Sequence, residues 1–307
     1  MSKKEFILKI KTVEKIASSS KLKRMLAHPI KYFFAILFRE LIYKKTKREK
    51  EVISNTFFNS KMHLLLPSST DIFLTGGKSH DSEIRLAKFL INYLENKDTF
   101  IDVGAHYGYF SLLASKLVGS LGKVYAFEAS PTSYKIFHKN ELNFKNIQGY
   151  NLVISDKNSY LTFYEFPNLY SEYNTLYINQ YKDQDWIDEY APKEVKVKSI
   201  LLGNFLIEEG INPKIIKIDV EGAEFKVING LKTYLLNKSP FIVMEYLSDN
   251  RGNEEHKKAE KLLSSLKFHP FIINTEGELE EVESISQSIL NRSLESDNIV
   301  FVKENTS

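Results

Sequence analysis

TFIDVGAHYGYFSLLAS, residues 99–115, reads as a buried strand, a glycine turn and a helix. Four of the first five residues are apolar or β-branched. Gly104 and Gly108 bracket the turn, and Phe110, Leu112 and Leu113 then recur on a helical face. The pattern repeats outward. GKVYAFEA (122–129) is a second strand, and Pro131 opens a helix at the favoured first-turn position. QGYNLVIS, PKIIKIDVEG and PFIVMEYL are further strands, separated by helical stretches near 222–236 and 254–267. MHLLLP at 62–67 and the helix at 81–96 precede them. Strands alternating with helices predict an α/β fold with a mostly parallel sheet and helices on both faces. FHPFIIN and NIVFVK, with no long helix evident between them, predict an antiparallel edge.

Two regions depart from this rhythm. Residues 1–60 predict a basic helical N-terminal extension, with Phe6, Ile10, Val13 and Ala17 on one stripe and a second, more apolar helix at 30–43. Residues 61–307 form the domain that follows, which carries an aromatic-rich insertion at about 160–198. Within it LTFYEF and EVKVKSI alternate as antiparallel strands, and residues 160–190 hold seven of the 17 tyrosines and the single Trp186. Aromatic faces with polar rims suit sugar stacking, although a self-packed hairpin explains them as well.

Charge follows the same division. Residues 1–50 hold 15 Lys/Arg against 4 Asp/Glu, a net of +11 in a chain of net +3, so the remainder carries −8. A basic arm on an acidic body points to peripheral contact with an anionic membrane face, or to packing on the body itself. The acidic body argues against a nucleic-acid partner. No run approaches the ~20 apolar residues of a spanning helix, and no signal peptide is evident. The chain therefore reads as cytoplasmic, with the inner face of the membrane as its peripheral contact. Cysteine is absent, which removes disulfides, thiolate metal sites and a Cys nucleophile.

In doubly wound sheets the ligand sits at the carboxyl ends of the strands. Gly104 permits a tight turn there, and Glu128, ending the next strand, can accept hydrogen bonds from both hydroxyls of a ribose. A dinucleotide turn wants a second glycine where this chain has His106, whose side chain blocks a pyrophosphate. An adenosine ligand without pyrophosphate is favoured, and S-adenosylmethionine is the common one.

These residues resemble a known family. IDVGAHYGYFSLLAS, YAFEASP, IIKIDVEGAEFKVINGL and IVMEY, in that order across roughly 62–246, are similar to the FkbM family of S-adenosylmethionine-dependent methyltransferases. KIDVEGAE (217–224) is the most specific piece. The resemblance implies a class I, Rossmann-like, seven-stranded methyltransferase sheet. It also implies O-methylation, often of sugar hydroxyls or polyketides. It places Asp102, Gly104, Ala105, His106 and Gly108 at the methionine side of the cofactor, Glu128 and Ala129 at the ribose, and Asp156 near adenine. The chain departs from the family at His106, usually Asn, and at EASP, usually E-P-x-P. It departs again at Leu201, where the family usually has Asp.

Transfer to a hydroxyl needs a proton acceptor or a metal. Asp219 and Glu221 are the candidate bases, with Lys217 orienting a carboxylate, on one side of an extended strand. His106 and His80 are the alternative bases. With Glu245, the two carboxylates offer oxygens that a divalent metal such as Mg2+ would accept, though acidic strand ends are common in this fold and assign no metal. Glu224 reads as a complement to its helix dipole. The acceptor is a saccharide hydroxyl, a glycan- or lipid-linked precursor, or another small molecule. The rival reading is a membrane-associated protein whose core is non-catalytic or differently specific. Oligomeric state is not encoded in any of these patterns.

Overall fold

The computed structural model describes residues 1–304. The chain opens with α1 (Lys3–Ala17), α2 (Lys21–Ala27) and α3 (Pro29–Leu37), a π-helical turn (Phe38–Tyr43) and α4 (Lys44–Thr46). Ser2 and Glu5 form a reciprocal capping box that starts α1. The helical reading of residues 1–60 ends at Thr46. Lys50–Asn55 is β1, which pairs antiparallel with β2 (Lys61–Leu66) as a two-stranded hairpin outside the main sheet. Next come α5 (Thr70–Thr75) and α6 (Asp81–Tyr93).

The core alternates as expected through β3 (Thr99–Val103), α7 (Tyr109–Val118), β4 (Lys123–Phe127), α8 (Pro131–Glu141) and β5 (Ile147–Tyr150). The third predicted strand is split. After β5 the chain leaves the sheet, and β6 (Val153–Ile154) joins β7 (Ser159–Glu165) and β8 (Lys193–Ile200) in a separate sheet of order β6-β8-β7. β7 and β8 pair antiparallel, as their period-two alternation predicts. The alternation resumes with α9 (Leu202–Glu208), β9 (Ile215–Ile218), α10 (Glu224–Asn237), β10 (Phe241–Leu247) and α11 (Glu254–Ser265). β11 (Phe268–Ile273), β12 (Leu279–Glu281), α12 (Ile285–Asn291) and β13 (Ser296–Lys303) complete it.

The main sheet has eight strands in the order β12-β11-β13-β10-β9-β3-β4-β5. Seven form the expected class I methyltransferase sheet, and β12 adds an antiparallel margin that the sequence did not announce. β3 pairs in parallel with both β4 and β9, so its residues are buried on two faces. β13 runs antiparallel to both its neighbours and lies inside the sheet, between β10 and β11, rather than at the edge. Apolar side chains of α6 and α7 pack one face, and those of α9, α10 and α11 the other. α1 joins the first layer: Phe6, Ile10 and Val13, its predicted stripe, are buried with residues of α6. Each such side chain contributes roughly 1.5–3 kcal/mol by leaving water.

Candidate active site

The turn after β3 is shaped by backbone that only particular residues accept. Gly104 has φ +79°, and a Cβ there would run into the Asp219 carbonyl oxygen. Gly108, φ +89°, stands before α7, where a Cβ would meet the Phe137 ring. His106 also lies in the left-handed region, at φ +50°. Its N–H donates to Glu128 Oε2 at 2.6 Å, and Ser130 N–H donates to Glu128 Oε1 at 2.8 Å. Glu128 is buried, and burial pushes its carboxyl up to about 7 against those two donors. Gly104, Ala105, His106, Glu128 and Ala129 all line one cavity of about 370 Å³, large enough for a small-molecule ligand. Leu152, Val153, Ile154 and Phe163 add an apolar wall.

Asp102 sits behind this wall. It is buried, accepts from Ser111 Oγ at 2.6 Å, and lies 3.3 Å from Lys217 Nζ. Lys217 is buried too. Its Nζ reaches Asp219 at 3.2 Å and the Gly104 carbonyl at 3.4 Å. Burial alone would lower the Lys217 ammonium, but the Asp219 and Asp102 carboxylates reverse the sign and raise it. The ammonium therefore ties the cofactor turn to the end of β9.

Beyond Ile218 the strand does not continue. β9 ends at Ile218, and Glu221 and Gly222 take φ +51° and +92°. The carboxylates converge all the same. Oxygens of Asp219, Glu221 and Glu245 lie within 4.8 Å of one another, facing the same cavity. Burial, with Glu245 and Asp219 close by, pushes Glu221 well up. Burial and Asp219 push Glu245 up to about 8. Glu221 is held by the insertion: Tyr181 OH donates to Oε2 at 2.7 Å, while Thr175 and Gln180 side chains donate to its carbonyl at 2.7 and 2.8 Å. Glu224 starts α10, where Oε1 faces the Val220 and Gly222 N–H groups at 3.3 and 3.4 Å and Oε2 lies 3.3 Å from His256.

The Gly104 turn, the Glu128 carboxylate and the cluster of Asp219, Glu221 and Glu245 thus share one cavity. A family model described as "Methyltransferase FkbM domain" matches residues 102–270. The chain belongs to the FkbM methyltransferase family. It is an S-adenosylmethionine-dependent methyltransferase. "Methyltransferase 1" of Beauveria bassiana (strain ARSEF 2860) is 32% identical over 189 residues, covering 56% of this chain and 72% of that protein. Among solved structures, methyltransferase FkbM from Methylobacillus flagellatus KT has a TM-score of 0.40 at 10% identity, over 74% of this chain and 56% of that one. A SAM-dependent O-methyltransferase from Thermotoga maritima has a TM-score of 0.40 at 14% identity, over 83% and 78%.

In this FkbM methyltransferase some predicted residues stand apart from the cavity. Asp156 is not among the residues lining the cavity, and Asn229 Nδ2 lies 3.4 Å from its Oδ2. Leu201 is the N-cap of α9, also off the wall. His106 stacks on Tyr107 at 3.8 Å, and its Nε2 lies 3.0 Å from Ser171 Oγ. Burial lowers the imidazole to about 4, so near neutrality it is an uncharged part of the wall. His80 lines the cavity and shares a hydrogen bond with Ser82 at 2.7 Å. Most insertion aromatics pack on one another. Tyr170 stacks on Trp186 at 4.0 Å, and Phe166, Tyr173 and Tyr181 surround that ring. Of these, Tyr173 reaches the cavity, with Ser171, Glu172 and Asn174. Sequence reasoning missed Lys78, which lines the cavity and pairs with Glu83 at 3.1 Å and with Glu172 of the insertion. No local pattern marks that meeting of residues 94 positions apart.

Proposed function

We propose that this enzyme transfers the methyl group to a hydroxyl of a saccharide, free or linked to a glycan or lipid precursor. The observation carrying this reading is the carboxylate cluster of Asp219, Glu221 and Glu245 in the cavity that holds the Gly104 turn and Glu128. The cofactor brings a methyl already activated on a sulfonium sulfur, so positioning supplies much of the rate. Glu128 takes the ribose hydroxyls, and the left-handed turn at Gly104 lets the methionine end approach the backbone.

Asp219 is the base. One of its oxygens lies against Lys217, which fixes the carboxylate, and the half-exposed group accepts the hydroxyl proton as the new O–C bond forms. Glu221 and Glu245, whose carboxyls are pushed toward the protonated form, donate hydrogen bonds to neighbouring hydroxyls. Lys217 is a positioning residue. A polyhydroxylated acceptor suits a wall this rich in carboxylates, to which Glu83, Glu172 and Glu295 add.

The test is transfer of labelled methyl from S-adenosylmethionine to a panel of saccharides. Asp219→Asn is expected to lower kcat by about 10²–10⁴-fold while calorimetry shows S-adenosylhomocysteine affinity retained. Full activity in Asp219→Asn removes that residue as the base. Label found only on nitrogen or carbon acceptors removes the hydroxyl reading. Activity that survives a chelator separates carboxylate base chemistry from metal assistance by the same oxygens.

A further inference from the structure

After α2 the backbone breaks at His28, φ −143°, and α3, the π-helical turn and α4 run on as one rod from Pro29 to Thr46. Ala35, Phe38 and Tyr43 turn inward and are buried. Ile30, Phe33, Phe34, Leu37 and Leu41 recur at helical intervals on the other side and stay exposed, Ile30 by 85%. Leu22 and Leu26 of α2 are exposed as well. Among the described residues nothing covers this face, and a cluster of seven large apolar side chains exceeds scattered surface exposure. The predicted stripe of α1 takes no part, because Phe6, Ile10 and Val13 are buried.

We propose that this face docks on an anionic phospholipid surface, with the rod lying in the plane of the interface. Charge selects that occupant. Residues 21–50 carry ten Lys/Arg against two Glu, and Lys21, Lys23, Arg39, Lys44 and Lys45 are exposed on the same helices, Arg39 and Lys44 sharing Glu40. Apolar side chains accompanied by cations match a membrane whose headgroups are negative. A second copy fits poorly, because a two-fold contact would press one basic face against its equal. The body, at −8, is repelled by the same headgroups, which orients the molecule. Crossing is excluded among the described residues, since no helix is long and apolar enough. The rod is held firmly. Lys31 Nζ donates to the Phe73 carbonyl at 2.9 Å, Leu169 N–H donates to Tyr43 OH at 2.9 Å, and Lys47 lies 3.6 Å over the Tyr190 ring. The last two contacts bind the rod to the insertion that walls the cavity. This inference stands apart from the identity of the acceptor.

Full-length protein is sedimented with phosphatidylcholine vesicles, with and without phosphatidylglycerol. Phosphatidylglycerol is expected to raise the bound fraction about tenfold or more, and added salt to reverse it. The pairs Phe33→Glu/Leu37→Glu and Lys44→Glu/Lys45→Glu are each expected to cut binding about tenfold or more, with melting temperature and S-adenosylhomocysteine binding unchanged. Should the apolar pair fail to fold, the lysine pair decides alone. Binding that ignores lipid charge, variants that bind like the parent, or no binding to either vesicle overturns the proposal. So does a solution dimer that Phe33→Glu/Leu37→Glu disperses, since a second copy then covers the face.

Discussion

With Glu128 on the ribose hydroxyls, as proposed, cofactor affinity depends on pH. Burial raises Glu128 from an ordinary 4.5 to about 7, so near neutrality its carboxylate is only partly ionised. Ribose hydroxyls donate to the ionised form. Affinity for S-adenosylhomocysteine should therefore strengthen as pH rises through about 7, and calorimetry of Glu128→Gln should show weak binding with a flattened pH dependence. Stability runs the other way. The folded state holds more protons between about 4.5 and about 7, so this residue's stabilising contribution is full at low pH and falls as pH rises through the folded value. The residues legible in sequence were those with a local reason to be where they are. Gly104 meets a backbone requirement, and Glu128 ends a strand. Asp156, a loop acid with no such reason, does not line the cavity. Lys78 and Glu172 were invisible because only the folded chain brings them together.

Leu201 makes a prediction at the scale of a helix. It occupies the N-cap of α9 with no side-chain cap bond. Restoring the capping side chain in Leu201→Asp should raise stability by about 1 kcal/mol, read as a shifted urea midpoint with unchanged kcat. Apolar periodicity disclosed the helices and the parallel strands. It failed at β1, where KEVISN follows a basic helical run and builds a hairpin outside the main sheet. It failed again at the third strand. Asn151 Nδ2 donates to the carbonyls of Glu128 and Ala129 at 2.8 and 3.0 Å, so the chain is turned to cap β4 before β6 begins. A bond of that kind leaves no mark on hydropathy.

The whole molecule depends on a pair that no motif reveals. Arg85 of α6 is fully buried and meets Asp297 of β13 at 2.9 Å, with Asp81 and the Ile273 carbonyl each at 2.8 Å. Asp297 also meets Arg292 at 2.6 Å. Asp297→Ala removes the fully buried carboxylate on Arg85, leaving the guanidinium with the largely exposed Asp81, and should cost about 3–5 kcal/mol, measurable by chemical denaturation. The pairing spans more than two hundred positions, which is why charge counting in sequence could find the basic arm and not this lock. The position of β13 has one more consequence. β10 and β11 do not touch each other, and each takes its ladder partner from Ser296–Lys303. A growing chain must therefore hold two unpaired strand edges apart until β13 is synthesised. In that interval it is open to aggregation, and a truncation before residue 296 would make the interval permanent.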